Sequence, residues 1–363
     1  MLVLLVAFAT SLLTTLLIVH GAKAGSHRLK DHDLSGPQKF HAAPVPRVGG
    51  VGIVAGVVAG LSLLWWRMPS LGPPAFLLML CAAPAFGSGL TEDVTKTQSP
   101  RRRLFFTALS AALAVVFIDA SIDRTDIPGL DWLVAMPIGA AVVTVFVVAG
   151  VANSLNIIDG FNGLASMCAV LMMVSIGYVA FQVGDGLILG LALAGVGAVL
   201  GFFVWNFPAG LIFLGDGGAY FLGFYVAELA ILLLHRNPAV SPMFPLLVCI
   251  YPVFETLFSI YRRKFVRGMP VGAPDGIHLH SLIYRRIMKW AVGTSYRRSA
   301  ARRNSMTSPY LWMLCMLAVV PAMLFWDSTP ILAAFIGLFG VVYTGLYWRI
   351  VRFKAPRWML TRR

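Results

Sequence analysis

Residues 186–236 read GLILGLALAGVGAVLGFFVWNFPAGLIFLGDGGAYFLGFYVAELAILLLHR. The stretch contains two apolar runs of about 20 residues, 186–205 and 211–234, and a helix of that length crosses a hydrocarbon core of roughly 30 Å. Asp216 stands near the start of the second run, between glycines. The pattern predicts two membrane-spanning helices joined by a short turn, with a carboxylate at the membrane boundary.

Similar apolar runs recur along the whole chain. Of its 363 residues, 58% are hydrophobic and 12% are charged, which is about half the charged fraction of a soluble domain. The sequence therefore predicts an all-α integral membrane protein, a single polytopic domain over 1–363 with a basic cytoplasmic loop at 262–307. About eleven transmembrane helices are expected, at 1–20, 48–66, 73–89, 104–118, 132–151, 163–182, 186–205, 211–234, 242–261, 308–326 and 330–348.

The basic residues indicate the orientation of these spans. Only Arg67, Arg124 and Arg236 lie in even-numbered connections, while the other 26 of the 29 Lys and Arg residues lie in odd-numbered loops and the C-terminal tail. Because cytoplasmic loops carry the excess of Lys and Arg, the N-terminus is predicted outside and the C-terminus in the cytoplasm. The first run is expected to be a retained span, with a cleaved signal as the alternative.

Net charge and cysteine usage narrow the class of protein. The net charge of +14 is explained by topology and by attraction to anionic membrane lipid. Nucleic acid is not an expected partner, because no soluble module interleaves aromatic with basic residues. Four cysteines stand singly in apolar runs, which favours neither a disulfide framework nor a zinc site.

Five acidic residues fall at predicted cytoplasmic ends of spans or in cytoplasmic loops, in segments rich in Gly, Asn and His. A solvated helix cap explains any one of them, but five on one face favour a functional site. They are Glu92, Asp93, Asp159, Asp216 and Asp275.

The segment 151–165, VANSLNIIDGFNGLA, places polar side chains three residues apart at Asn153, Asn156, Asp159 and Asn162. On a helix or helical turn, this spacing points all four to one side. Hard oxygen ligands and amide donors in a row suit a cation and a phosphate. The alternative is that the Asn and Asp residues cap a helix that is broken at the glycines.

Two further segments suit an anionic ligand. In 206–224, which begins at Asn206, glycines flank Asp216 at a predicted helix N-terminus, and such a place favours a magnesium-bound diphosphate; close helix packing would explain only the glycines. In 274–286, His278 and His280 are followed by two arginines, which suits a phosphate. A transition-metal site there is short of ligands.

Five motifs stand in order along the chain: QKFHAAPVPRVGGVGI at 38–53, GLTEDVTKTQSPRRRL at 89–104, NSLNIIDGFNGLA at 153–165, FLGDGGAYFLGF at 213–224 and PDGIHLHSL at 274–282. Together they resemble a known family, the polyprenyl-phosphate N-acetylhexosamine-1-phosphate transferases (glycosyltransferase family 4), a superfamily that includes the WecA-like enzymes and the MraY translocase. MraY-like members carry three consecutive histidines where this chain reads HLHS, so it is more similar to the WecA-like branch.

The resemblance implies roles for individual residues. It places Asp216 and Asn156 on a magnesium ion, for which manganese is the expected substitute, and it places Asp159, Glu92 and Asp93 in the catalytic centre. The family usually has aspartates at the positions of Glu92 and Asp93, so Glu92 is a departure. Phe213 is a candidate for stacking on uracil, although an aromatic residue at the end of a span is more often an interfacial anchor. The residues expected to bind substrate are Lys39, His41, Arg47, Arg103, Asn153, Asn162, Asn206, Phe213, His278 and His280.

The implied reaction is transfer of an N-acetylhexosamine 1-phosphate from a UDP-amino sugar to undecaprenyl phosphate, with release of UMP, on the cytoplasmic face of a bacterial inner membrane. The product is the first lipid-linked sugar of a cell-surface polysaccharide or glycan. Transfer of a phospho-N-acetylmuramoyl pentapeptide is the alternative within the superfamily. A secondary transporter is the alternative of another class, although its site would lie near the bilayer midplane. The sequence leaves open the sugar, the pathway and whether the protein is a homodimer.

Overall fold

The computed structural model describes residues 1–23, 30–31, 45–266, 268, 276–288 and 297–352. Lys39, His41 and Asp275 lie outside these residues, so their predicted roles stay predictions. The described strands are a two-residue antiparallel pair, Lys30–Asp31 and Val45–Pro46. The helices are α1 Leu2–Lys23, α2 Gly49–Arg67, α3 Gly72–Thr95, α4 Pro100–Ile118, α5 Leu130–Val134, α6 Pro137–Ile158, α7 Leu164–Gln182, α8 Gly186–Asn206, α9 Gly215–Arg236, α10 Met243–Val248, α11 Ile250–Tyr261, α12 Leu279–Leu282, α13 Arg297–Leu324 and α14 Thr329–Val351.

Nine helices within the described ranges are long and apolar enough to cross a membrane. This confirms a multi-pass, all-α membrane protein. Two of the eleven predicted spans have a different form. The span at 104–118 is α4, whose first turn carries three arginines behind the N-cap Ser99. The span at 242–261 is divided at Cys249 into α10 and α11, because Pro252 has no N–H to donate to the preceding turn.

Helix boundaries differ from the predicted spans where polar residues continue a helix. Residues 297–307, predicted as loop, form the start of α13. α6 continues to Ile158, so Asn153 and Asn156 lie on a helix and Asp159 follows its end. The last turn of α3 likewise includes Glu92 and Asp93. A hydropathy pattern cannot detect these extensions, because backbone hydrogen bonding continues after apolar residues stop.

Helix α9 is the centre of the bundle and is buried along its entire apolar length. It packs against α2, α3, α6 and α7, whereas little of α14 is buried, as expected for a lipid-facing helix. At one end of α9, Arg236 Nε donates to Asp185 Oδ2 at 2.7 Å. The other end of α9 carries Asp216, so the two ends have separate polar environments.

Glycines let two helices approach the backbone at the start of α9. A Cβ built on Gly89 of α3 would lie 2.5 Å from the backbone nitrogen of Gly217, and one built on Gly50 of α2 would lie 2.5 Å from that of Gly218. Side chains cannot be accommodated at such distances. The glycines therefore allow the C-terminal end of α3 and the N-terminal end of α2 to lie directly against α9.

The segment before α2 is fastened to the segment before α9 by main-chain hydrogen bonds. The N–H of Phe213 donates to Pro46 at 2.8 Å, and the N–H groups of Gly49 and Gly50 donate at 3.0 Å to the carbonyls of Phe213 and Leu214. Because the backbone is held on both sides of position 47, the Arg47 side chain starts beside the N-terminus of α9.

We expect Gly89→Ala to lower the free energy of unfolding by about 1–3 kcal/mol, because the added methyl group would overlap main-chain atoms that cannot move away cheaply. Gly87→Ala on the same helix is the matched control, since its Cβ would have no neighbour within 4 Å; it should be neutral or stabilising by up to about 1 kcal/mol. Thermal unfolding midpoints of the purified proteins in detergent measure both. Equal midpoints for the two variants would contradict the close backbone contact.

Candidate active site

The carboxylate of Asp93 caps the N-terminus of α9. Its Oδ1 accepts the N–H of Asp216 at 2.8 Å, and its Oδ2 accepts the N–H of Gly217 at 2.9 Å. Asp93 is 6% exposed, so these bonds stabilise a buried charge, together with the positive end of the helix dipole. The sequence predicted Asp93 as catalytic, and its contacts show that it orients the backbone that carries Asp216.

Two arginines from different parts of the chain bind Asp216. Arg47 Nη2 lies 3.4 Å from Oδ1, and Arg103 forms an ion pair with Oδ2. Arg47 also contacts Asp93, with Nε 3.8 Å from Oδ1. Arg103 Nε is buried and has no hydrogen-bond partner among the described residues, so a donor is left for a ligand. The two guanidinium groups supply positive charge and N–H donors that an anionic ligand can share with Asp216.

Tyr220, which the sequence analysis did not select, connects two predicted site residues. Asn156 Nδ2 donates to the Tyr220 hydroxyl at 3.2 Å, and the Arg103 guanidinium carbon lies 5.9 Å from the centroid of the tyrosine ring. This bond uses the NH2 group of Asn156, so the side-chain oxygen is the atom that could bind a cation. Tyr220 lies one helical turn after Asp216, and that i, i+4 spacing was the available signal.

Asp159 follows the end of α6 and belongs electrostatically to the same group. Burial raises the pKa of the Asp159 carboxyl to about 7, and the positive charge of Arg47 opposes that rise. Asp159 and Asp93 are close enough for their charges to interact. Asp159 and Asp216 therefore share Arg47 as a neighbour, at the same end of the bundle. A carboxyl with such a pKa is typical of functional sites.

Other predicted residues surround this centre. Glu92 Oε2 accepts the backbone N–H of Gln98 at 2.7 Å, which fixes the turn between α3 and α4. Asn153 is half-buried, one turn before Asn156 on α6. The backbone of Phe213 lies beside Arg47 through the bonds to the segment before α2.

Asn162 and Asn206 belong to a different hydrogen-bond cluster. The N–H of Asn162 donates to Asn304 Oδ1 at 2.8 Å, and its side-chain NH2 donates to the carbonyl of Pro208 at 3.2 Å. Asn206 Oδ1 accepts the N–H of Gly163 at 2.6 Å. The helical row predicted for 153–162 therefore ends with Asp159, because the chain turns there. The substrate roles of these two asparagines stay predictions. Asn162 joins the turn after α6 to α13, and Asn206 joins that turn to the segment before α9 through the carbonyl of Ile212.

The predicted histidines, His278 and His280, lie in the segment that packs beside the turn after Asp159. Their rings stack with centroids 5.2 Å apart and planes 8° apart. His280 lies with its ring centroid 5.4 Å from that of Phe161. His278 Nδ1 lies 2.9 Å from Oε1 of Glu255, a carboxylate inside a predicted span that the sequence analysis missed. An ionisable residue within an apolar span was the signal.

Comparison with known proteins identifies the family of this chain. The model of glycosyl transferase family 4 matches residues 75–234, which include α3 to most of α9. A probable undecaprenyl-phosphate N-acetylglucosaminyl 1-phosphate transferase of Bacillus subtilis (strain 168) is 32% identical over 299 residues, covering 81% of this chain and 79% of the relative.

Two other relatives are similar over most of the chain. An undecaprenyl-phosphate alpha-N-acetylglucosaminyl 1-phosphate transferase of Thermotoga maritima is 30% identical, covering 70% of this chain and 72% of the relative. A phospho-N-acetylmuramoyl-pentapeptide-transferase of Streptococcus pneumoniae is 27% identical, covering 76% and 87%. The chain belongs to glycosyl transferase family 4, which confirms the resemblance seen in its motifs.

We expect Asp93→Asn to lower the free energy of unfolding by about 1–3 kcal/mol, because one of the two N–H groups of α9 would then face an NH2 group instead of an oxygen. Glu92→Gln is the matched control: the neighbouring side chain keeps an oxygen for the Gln98 N–H, and a change within about 0.5 kcal/mol is expected. Thermal unfolding of the detergent-solubilised variants provides the comparison. An unchanged midpoint for Asp93→Asn would show that the cap does not support the fold.

Proposed function

We propose that this protein transfers an N-acetylhexosamine 1-phosphate, from UDP-N-acetylglucosamine or a deoxy relative, to undecaprenyl phosphate and releases UMP. The observation that carries the proposal is the convergence on Asp216 of two arginines and the Asp93-capped N-terminus of α9. A diphosphate needs positive charge and N–H donors, which the two guanidinium groups supply, while the capped helix fixes the position of Asp216. The names of the Bacillus subtilis and Thermotoga maritima relatives support the same reaction.

In the reaction, a phosphate oxygen of the lipid attacks the sugar-linked phosphorus of the UDP-sugar. A new P–O bond forms there, the bond to the bridging oxygen breaks, and UMP leaves with that oxygen. Arg47 and Arg103 hold the negative charge of the phosphoryl oxygens, and the Asp93 cap keeps Asp216 in position. Because phosphoryl transfer depends mainly on positioning and charge stabilisation, these roles matter more than removal of a proton from the lipid phosphate.

Magnesium fits the available donors. Asp216 supplies a carboxylate, and Asn156 supplies an amide oxygen oriented by Tyr220. Within the described part of the chain, no group of three or more His, Cys, Asp or Glu side chains is arranged to hold a metal alone. Magnesium commonly uses one or two protein carboxylates together with substrate phosphates, and it supplies charge neutralisation when bound.

An apolar groove between α4 and α6 is our candidate for the isoprenoid chain. Its volume is about 530 Å³ and its lining is almost entirely apolar. Leu104, at one end, directly follows Arg103, and Gly150 lies one turn before Asn153 on α6. The groove therefore runs from the candidate site along the membrane-spanning part of the bundle, where a lipid phosphate and its tail would need to lie.

The arrangement in the membrane is also proposed. The chain forms one domain that crosses a bacterial inner membrane eleven times, with α4 and the divided α10–α11 segment added to the nine apolar helices. Its N-terminus is outside and its C-terminus is cytoplasmic. Support comes from the Lys and Arg distribution, which assigns the end of the bundle that holds Asp216 to the cytoplasm.

Purified protein should release UMP from UDP-N-acetylglucosamine only when undecaprenyl phosphate and magnesium are both present. Asp216→Ala should lower kcat/KM by at least about 100-fold, because the transition state loses a charged contact. Asp119→Ala is the control, since this exposed side chain pairs with His235 at 3.5 Å, at the opposite end of α9. Undiminished activity of Asp216→Ala would remove the metal assignment.

A panel of UDP-sugars that includes UDP-N-acetylmuramoyl pentapeptide separates the proposed reaction from its alternative, for which the Streptococcus pneumoniae relative is a precedent. Release of UMP from the pentapeptide substrate alone would overturn the hexosamine assignment. Uptake of substrate into vesicles without UMP release would instead indicate a transporter.

Filling the groove tests the lipid assignment. Ala112→Trp should raise the KM for undecaprenyl phosphate on the order of tenfold through steric overlap, while the KM for the UDP-sugar stays the same. Ala334→Trp, on the exposed surface of α14, adds the same side chain away from the groove and should change neither value. An unchanged lipid KM in Ala112→Trp would exclude this groove as the tail site.

A further inference from the structure

Glu255 is a carboxylate within the membrane-spanning part of the chain. It lies on α11 and is 1% exposed. Burial of a carboxylate is costly unless hydrogen bonds and positive charge compensate it. The carboxylate of Glu255 therefore depends on the groups that surround it.

Both carboxylate oxygens of Glu255 are occupied. Oε1 lies 2.9 Å from His278 Nδ1 and accepts the backbone N–H of Leu279 at 3.2 Å. Oε2 accepts the hydroxyl of Tyr343 at 2.7 Å. These partners come from the segment with the two histidines and from α14. Glu255 thus joins that segment to two membrane helices through three hydrogen bonds.

The contact determines the protonation pattern of His278. A carboxylate only accepts hydrogen bonds, so His278 Nδ1 must carry a proton. The other ring nitrogen, Nε2, is then the one that can face a ligand. In a ring that carries a second proton on Nε2, this N–H is a charged donor to a phosphate oxygen.

The stacked rings extend this ordering toward the candidate site. His280 is parallel to His278 at 5.2 Å between centroids, and Glu255 also interacts electrostatically with His280. A Cβ built on Gly160 would lie 3.3 Å from His280 Nε2, and Gly160 directly follows Asp159. The Glu255 carboxylate is therefore connected through the two histidine rings to the turn after Asp159, a predicted catalytic residue.

We propose that Glu255 is a positioning residue, which holds His278, and through it His280, in the orientation that binds the diphosphate of the UDP-sugar. The inference rests on the proposed function, because it assigns the two histidines to that substrate. Tyr343 supports the same arrangement from α14 by holding the second oxygen of the carboxylate. Glu255 therefore contributes to binding of the UDP-sugar, and binding of undecaprenyl phosphate should not depend on it.

Glu255→Gln is the decisive variant, because glutamine keeps the shape and an oxygen for His278 while it removes the charge. We expect the KM and the Kd for UDP-N-acetylglucosamine to rise on the order of tenfold, with the KM for undecaprenyl phosphate and the unfolding midpoint nearly unchanged. In a His278→Ala background, the same substitution should change the KM less than twofold, because a residue that acts through His278 has no effect once that ring is absent.

Glu228→Gln is the matched control. Glu228 is equally buried on α9, but both of its carboxylate oxygens are without a hydrogen-bond partner in the described part of the chain. This variant should leave both KM values unchanged. Equal effects of the two Gln substitutions, or an effect of Glu255→Gln that persists in the His278→Ala background, would overturn the inference.

If the Glu255→Gln protein does not fold, Tyr343→Phe is the variant that tests whether Glu255 positions His278. This change keeps the carboxylate and removes one of its donors, so a smaller rise in the same KM is expected, again absent from the His278→Ala background. A folded Tyr343→Phe protein with an unchanged KM for the UDP-sugar would refute the proposal. Lack of UMP release by the wild-type protein would refute the proposed function instead, and calorimetric binding of the UDP-sugar by the variants would still report on Glu255.

Discussion

The structure depends on the contact between the Asp93 carboxylate and two N–H groups in the first turn of α9. Asp216 and Gly217 supply those N–H groups, so one buried carboxylate determines where the other stands. The contact needs α3 and α9 to approach at main-chain distance, and Gly89 permits this. The central helix of the bundle is thereby fixed at the end where the candidate site lies.

Charge balance follows from that constraint. Two carboxylates and a partly buried third, Asp159, would repel one another near the membrane surface, and Arg47 is a neighbour of all three. Arg103 adds a second positive group on Asp216. In such a site the arginines stabilise the empty protein and are also the groups that a diphosphate would bind. Substrate binding then exchanges one set of ion pairs for another, which costs less than creating charge in an apolar site.

The histidine segment adds a second constraint from the far end of the chain. Glu255 and Tyr343 place it against the turn after α6 by hydrogen bonds made within the membrane-spanning part of the bundle. Hydrogen bonds in such a low-dielectric region are strong, and a partner left unpaired there is costly. The histidine rings should therefore have little freedom to turn. A site assembled from distant segments can in this way remain ordered without a soluble domain.

The sequence by itself determined the class, because long apolar runs admit only membrane-spanning helices and because the five motifs identify the family. It also selected Arg47, Arg103, Asp159 and Asp216, whose charges are conspicuous at span boundaries. Tertiary structure alone decided that Asp93 is a helix cap, that Asn162 turns away from Asn156, and that Tyr220 and Glu255 support the site. Hydropathy and spacing describe one helix at a time, whereas a hydrogen bond between residues more than a hundred positions apart, such as the one from Asp216 to Asp93, depends on how the helices pack.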